Sequence, residues 1–112
     1  MKIISVPIKK EEVLKNHNHF FRKMVKAVVD VENKIIAVDA ELHADLEEML
    51  IENGSGQNSL GGINLYLENE KNDWLAYTAL INIRPALGND GMEIKSEAIK
   101  KKIAEIVCQL IV

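Results

Sequence analysis

The chain has 112 residues, with 17 acidic and 14 basic side chains and a formal net charge of −3 at neutral pH. This length is near the commonest domain size and predicts a single domain over residues 1–112. The charge balance argues against a dedicated nucleic-acid binder, which carries an excess of positive charge. The single cysteine, Cys108, permits no intramolecular disulfide, and no apolar run approaches the roughly 20 residues of a membrane span. We therefore expect a cytoplasmic protein that does not contact membranes.

The first half of the chain predicts three strands and two helices. Residues 2–6 form a strand that ends before Pro7, and apolar spacing over 9–21 indicates a helix. The β-branched segments 24–31 and 34–40 predict a central hairpin, covered in part on both faces. An apolar stripe over 42–50 indicates a second helix, which ends at Asn53-Gly54. A capping box of Asp45 and Glu48 starts it at residue 46, unless Asp39 or His43 caps it earlier.

The second half predicts a glycine-rich loop over 55–62, a strand over 63–68 and a long strand over 74–84 that ends at Pro85. A second glycine loop covers 88–91, and Ser96 is a good N-cap for a last helix. The element order is therefore β-α-β-β-α-β-β-α. It predicts an α+β, two-layer sandwich in which three helices cover one face of a largely antiparallel sheet of about five strands.

The polar run at residues 39–45 allows two geometries. If the strand continues to His43, then Asp39, Glu41 and His43 alternate onto one face, where carboxylates and an imidazole suit a divalent metal or proton transfer. If the strand ends near Ala40, the same residues only begin a helix, whose first turn favours acidic side chains. The second geometry is the more common structural reason for such a run. The backbone of residues 40–42 decides between them.

The second predicted hairpin contains the dipeptide Ile-Asn twice, at 63–64 and 81–82. A turn centred near Asp73 places Asn64 opposite Asn82, and Arg84 shares a face with Asn82. Arginine binds a carboxylate or phosphate with two parallel hydrogen bonds, so these three residues are candidates for a small-anion site. The alternative is an asparagine pair bonded across the ladder, with Arg84 in a surface ion pair.

Two further motifs carry weaker signals. His17-Asn18-His19 spells HNH, but the nuclease motif of that name extends over tens of residues, and helix positions i and i+2 do not face each other. We therefore interpret this segment as a core-facing or surface histidine pair. The lysine run 100–102 is interpreted as a solvated band of the last helix, with nucleic-acid contact as the minor alternative.

Several blocks together resemble an uncharacterised family of short prokaryotic proteins, catalogued as a domain of unknown function. The resemblance spans nearly the whole chain and rests on Asp39–Glu47, Glu52-Asn-Gly54, Gly62–Tyr66, Ile81–Pro85 and Gly88-Asn89. It implies a stand-alone domain and favours a shared role for the polar blocks. It carries no activity or site residues over to this chain.

Three hypotheses of function follow, and the sequence leaves open whether the protein is an enzyme. The first is a non-enzymatic binding or accessory protein with a polar pocket for a small anionic ligand, held by Asn64, Asn82 and Arg84. The second is a divalent-metal-dependent hydrolase that uses the polar run. The third is a homodimeric interaction protein, because the apolar end 106–112 is suited to pack against a second copy.

Overall fold

The structure is a computed structural model that describes residues 1–112. Its strands and α-helices follow each other in the predicted order. They are β1 (Lys2–Ile4), α1 (Lys10–Asn16), β2 (Val25–Asp30), β3 (Ile35–Val38), α2 (His43–Glu52), β4 (Leu60–Leu65), β5 (Leu75–Ala76) and α3 (Glu97–Leu110). The model contains no helix with the length and apolar character needed to cross a bilayer.

The five strands form one antiparallel sheet in the order β1-β3-β2-β4-β5. β2 lies in the middle, and β2 and β3 form a hairpin in which Asp30 pairs with Ile35. The predicted α+β class, the antiparallel sheet and the central hairpin are therefore confirmed. The hairpin turn is fixed by the buried Asp30 carboxylate, which accepts hydrogen bonds from the backbone N–H groups of Glu32 and Asn33 and from the Ser55 hydroxyl.

Alternation along the strands divides the apolar residues between the two faces of the sheet. Val29 and Ile36 belong to a main cluster of 17 buried residues, which α1 and α3 cover. Val28 and Ala37 point the other way, into a second cluster of 6 buried residues that includes Leu46 and Leu50 of α2. The helices thus lie on both sides of the sheet, whereas the sequence analysis placed all three on one side.

Several elements in the first half end sooner than predicted, and β1 stops at Ile4 rather than at residue 6. α1 stops at Asn16 rather than near residue 21, because the chain leaves helical geometry at His17. β3 stops at Val38, because Asp39 adopts a left-handed backbone with φ of 75°. A non-glycine residue in this region interrupts regular strand geometry. The strand therefore does not reach His43.

The second half departs further from prediction. β4 begins at Leu60, inside the predicted loop, and Gly61 and Gly62 pair with Val29 and Val28 of β2. β5 has only two residues, because the chain turns into a 3₁₀ segment over 80–82 instead of continuing as a long strand. The predicted strand over 74–84 is therefore wrong beyond Ala76. The N-cap at Ser96 is confirmed, since its hydroxyl accepts the Ile99 N–H at 3.2 Å.

Candidate functional site

A cavity of about 200 Å³ lies between the start of β4, the irregular segment 82–95 and the start of α3. We call it the Arg84 pocket. Pockets for drug-sized ligands have about 300–1,000 Å³, so this cavity suits a smaller molecule. Its lining residues are Val31, Asn58, Ser59, Leu60, Gly61, Asn82, Arg84, Leu87, Gly88, Asn89, Ile94, Lys95, Ser96 and Ile99.

Arg84 is held in the wall of this pocket by two protein contacts. One terminal nitrogen, Nη1, donates to the Leu60 carbonyl, and the other, Nη2, donates to Glu47 Oε2 of α2 at 2.9 Å. The Arg84 side chain is 17% exposed and that of Glu47 is 15% exposed, so this ion pair is largely shielded from solvent. A guanidinium carries five N–H donors, and these contacts use two of them. The remaining donors make no hydrogen bond to the protein.

The rest of the pocket combines positive and apolar groups. Arg84 and Lys95 are the only charged side chains that line it, and Glu47 is not among the lining residues. Ser96 caps the N-terminus of α3, where the aligned backbone dipoles favour an anion. Lys95 also pairs with the exposed carboxylate of Asp90. Five side chains supply the apolar wall: Val31, Leu60, Leu87, Ile94 and Ile99.

Asn82 lines the same pocket, but its side chain is bonded to the protein. Asn82 is 3% exposed, and its Oδ1 accepts the Gly62 N–H at 2.8 Å. Its Nδ2 donates to the carbonyls of Gly62, at 2.9 Å, and Met92, at 3.1 Å. The Asn82 amide therefore makes the two hydrogen bonds to the Gly62 backbone that a neighbouring strand would otherwise make. It positions the segment that carries Arg84.

Asn64 lies outside this pocket. It faces Ala76 in the register of β4 and β5, not Asn82, so the predicted asparagine pair is wrong. The Asn64 Nδ2 donates to the Thr78 carbonyl at 3.1 Å, and its Oδ1 is buried without a hydrogen-bond partner. The structure thus brings two of the three predicted ligand residues to one cavity and separates the third.

The polar run at 39–45 does not converge on a common point. The His43 ring, 9% exposed, turns inward, and its Nε2 lies 2.8 Å from the Ile63 carbonyl, whereas Glu41 is exposed. No group of three His, Cys, Asp or Glu side chains is arranged to hold a metal ion. The run begins a helix, as the second geometry predicted, but α2 starts at His43 and its N-cap, Leu42, makes no side-chain hydrogen bond. The predicted capping-box start at residue 46 is wrong.

Asp39 instead makes a contact that the sequence does not predict. Its Oδ1 accepts the backbone N–H of His19 at 2.9 Å, and its Oδ2 lies 2.5 Å from His19 Nδ1. His19 follows the early end of α1, in the segment spelled HNH. The two polar segments 17–19 and 39–45 were both noticed in the sequence. Nothing in their spacing connects them, because the pairing depends on where α1 and β3 end.

The apolar C-terminal segment is used within the chain. Ile106, Val107, Leu110 and Ile111 are buried, and all four belong to the main cluster. The Val112 N–H donates to the Ile8 carbonyl, which ties the end of the chain to its first segment. These residues therefore leave little apolar surface for a second copy. The homodimer stays a prediction without this support.

Comparison with known families identifies one relationship. A family model described as a protein of unknown function, DUF5674, matches residues 2–110, in agreement with the resemblance found in the sequence. No curated protein and no solved structure matches the chain.

Proposed function

This chain belongs to the DUF5674 family, which has no known function, and we propose from its site that it is a small-ligand binding protein. The ligand is a short-chain carboxylate held in the Arg84 pocket. The carboxylate faces Arg84 and the start of α3, and the aliphatic tail packs on the apolar wall. This retains the small-anion hypothesis with Arg84 as the anion contact and gives Asn82 a positioning role.

One observation carries the proposal: a largely buried guanidinium lines a small cavity and keeps donors that the protein does not use. Arginine recognises carboxylates through its fixed fork of donors, and hydrogen bonds to charged groups stabilise by about 1.5–3 kcal/mol. No acidic side chain lines the cavity itself, and the carboxylate of Glu47 lies beside Arg84 outside the lining. The apolar wall favours a carboxylate with a short tail over a bare inorganic anion.

Glu47 provides a second test of the proposal, because its carboxylate competes with any bound anion for Arg84. A bound carboxylate gains less from a guanidinium whose charge is already compensated. Replacing the Glu47 carboxylate with a neutral amide therefore strengthens binding, whereas replacing the arginine fork with a lysine point charge weakens it.

The test is a titration of the protein with hexanoate and with inorganic phosphate, followed by NMR of the backbone amides. We expect saturable shifts at residues that line the Arg84 pocket and tighter binding of hexanoate than of phosphate. Arg84→Lys lowers the hexanoate affinity by roughly 10-fold or more, the equivalent of one lost charged hydrogen bond. Glu47→Gln raises it.

Glu48→Gln is the matched control, since Glu48 is the next residue of the same helix, is exposed and does not line the pocket. It leaves the hexanoate affinity unchanged. Absence of saturable binding for both anions, or equal affinity in the wild type and Arg84→Lys, would overturn the proposal.

A further inference from the structure

The pair formed by His19 and Asp39 has the arrangement of an oriented base. The Asp39 side chain is 6% exposed, whereas the His19 side chain is 65% exposed, so a buried carboxylate stands behind a solvent-facing ring. Asp39 holds both the ring Nδ1 and the backbone N–H of His19. It does so from a left-handed backbone with φ of 75°.

The hydrogen bonds determine which ring nitrogen carries the proton. Burial alone would raise the pKa of the Asp39 carboxyl, but the hydrogen bonds and the charge of His19 outweigh it and hold this pKa below its usual value. An ionised carboxylate only accepts hydrogen bonds, so Nδ1 must be the donor in the 2.5 Å contact. In the neutral ring, the lone pair is therefore on Nε2. That nitrogen makes no hydrogen bond to the protein.

His19 and Asp39 both line a cleft of about 670 Å³, which shares no lining residue with the Arg84 pocket. No lysine or arginine lines this cleft, but Met1 does, and the charge of its N-terminal ammonium helps to lower the pKa of Asp39. Four more carboxylates line it, from Glu41, Asp45, Glu48 and Glu52. A positively charged molecule is therefore attracted to the cleft, and an anionic one is repelled.

We propose that His19 and Asp39 form a general-base dyad that hydrolyses esters with a positively charged acyl group. This activity goes beyond the ligand binding assigned to the Arg84 pocket. His19 Nε2 accepts a proton from water while the water oxygen bonds to the acyl carbon. The ester C–O bond then breaks, and the proton passes from Nε2 to the leaving oxygen, so the acid and the alcohol are released and the dyad is restored. Asp39 is a positioning residue that fixes the tautomer.

Asp39→Asn tests the tautomer directly. The backbone N–H of His19 continues to need an acceptor, so the amide oxygen keeps the position of Oδ1 and the amide NH₂ group replaces Oδ2. The ring must then accept at Nδ1 and carry its proton on Nε2, which removes the lone pair from the cleft. ¹⁵N NMR of the His19 ring is expected to show Nδ1 protonated in the neutral wild-type ring and Nε2 protonated in this variant. The same tautomer in both proteins would overturn the proposal.

The activity is measured with 4-nitrophenyl esters whose acyl groups end in trimethylammonium, in the isosteric neutral tert-butyl group or in carboxylate. We expect the cationic ester to react fastest, and its rate to fall by roughly 100-fold or more in Asp39→Asn and in His19→Gln, since general-base contributions are about 10²- to 10⁴-fold. His19→Gln changes an exposed side chain and guards against misfolding of the Asp39 variant. A wild-type rate equal to that of His19→Gln would contradict the proposal.

His17→Gln is the matched control, because His17 is two residues away and has no carboxylate partner within hydrogen-bonding distance. It keeps the wild-type rate with the cationic ester. A loss of rate in His17→Gln equal to that in His19→Gln would show that histidine content, not the dyad, hydrolyses these probes. Loss of hexanoate binding in Arg84→Lys tests only the Arg84 pocket, so its result does not bear on the ester-hydrolysis rates or on the His19 tautomer.

Discussion

His43 is a buried histidine at the first position of α2, on the face of the sheet that α2 covers. Its Nε2 lies 2.8 Å from the Ile63 carbonyl, so this nitrogen carries a proton and donates it. Burial lowers the pKa of His43, and the nearby charge of Lys26 acts in the same direction, while the hydrogen bond to the Ile63 carbonyl opposes them. The neutral ring is therefore the form that the folded protein favours.

This makes His43 a source of acid sensitivity. Because the pKa of His43 is lower in the folded than in the unfolded chain, the unfolded chain takes up the proton first as the pH falls. Its contribution to stability is complete above the unfolded pKa of about 6.5 and is lost as the pH falls from there towards the folded pKa. Urea unfolding at pH 7.5 and 5.0 should show a smaller loss of unfolding free energy in His43→Gln than in the wild type.

His17→Gln serves as the control for this pH comparison. The His17 ring is only partly buried and makes no hydrogen bond, so we expect the wild-type pH dependence to persist in this variant. If the unfolding free energy fell by the same amount between pH 7.5 and 5.0 in His43→Gln and in the wild type, His43 would not be the source of the acid sensitivity.

Single residues also mark the limit of sequence reasoning for the sites. The contact of Arg84 with a ligand stays a prediction, but its place in an ion pair was predictable as one of two alternatives. The role of Asn82 was not, since the prediction assumed a strand in which its amide faces a ligand, and the amide instead pairs with Gly62. The partnership of His19 and Asp39 depends on a left-handed residue whose type does not demand that conformation.

At the scale of elements, the segment 79–82 crosses β4 where Gly62 leaves room for it. A Cβ at Gly62 would lie 2.5 Å from the Ala79 Cβ and 3.0 Å from the Ile81 Cγ1. At Gly61, on the opposite face, it would meet the Ile103 Cδ1 at 2.9 Å and the Ile94 Cδ1 at 3.2 Å. The obstacle at Gly61 is the far end of flexible side chains. At Gly62 it includes a Cβ that cannot move without its backbone.

Gly62→Ala is therefore expected to destabilise the protein by at least about 2 kcal/mol, since it forces the crossing segment away from β4 and strains the Asn82 hydrogen bonds. Gly61→Ala is the control and should cost about 1 kcal/mol or less, because the isoleucine ends can rotate and alanine restricts the unfolded chain. Urea unfolding measures both. Equal losses for the two variants would mean that the close crossing at Gly62 is not a stabilising contact.

The same crossing explains which elements the sequence could predict. β2 and β3 are nearly continuous apolar runs and α3 has a regular apolar stripe, so the type and order of these elements were predictable from the sequence. The pattern over 74–84 is equally apolar, yet the chain leaves the sheet after Ala76 to let Asn82 reach Gly62. Strand length there is set by a contact between distant residues, so local propensity cannot determine it.

At the scale of the whole molecule, the two apolar clusters share the same strands. Neighbouring residues of β2, Val28 and Val29, belong to different clusters, and Ala37 and Ile36 of β3 do the same. If the helix packing on one face of the sheet is lost, the strands that become exposed on that face are the same strands that carry the cluster on the other face. We therefore expect residues 1–112 to unfold as one domain, with the α2 side and the α3 side cooperating.

Leu50→Ala tests this single-domain prediction from the far side of the sheet. Leu50 is a fully buried residue of α2, whereas the only tryptophan, Trp74, belongs to the main cluster on the other face of the sheet. Removing the Leu50 side chain should lower the unfolding free energy by roughly 2–5 kcal/mol, the usual cost of such a cavity. In one cooperative unit, Trp74 fluorescence and far-UV circular dichroism report this loss at the same urea midpoint.

Ile51→Ala is the control, since this adjacent position is 41% exposed, and it should shift both midpoints little. A Leu50→Ala protein that keeps the wild-type fluorescence midpoint while its dichroism midpoint falls would show that the two faces unfold separately.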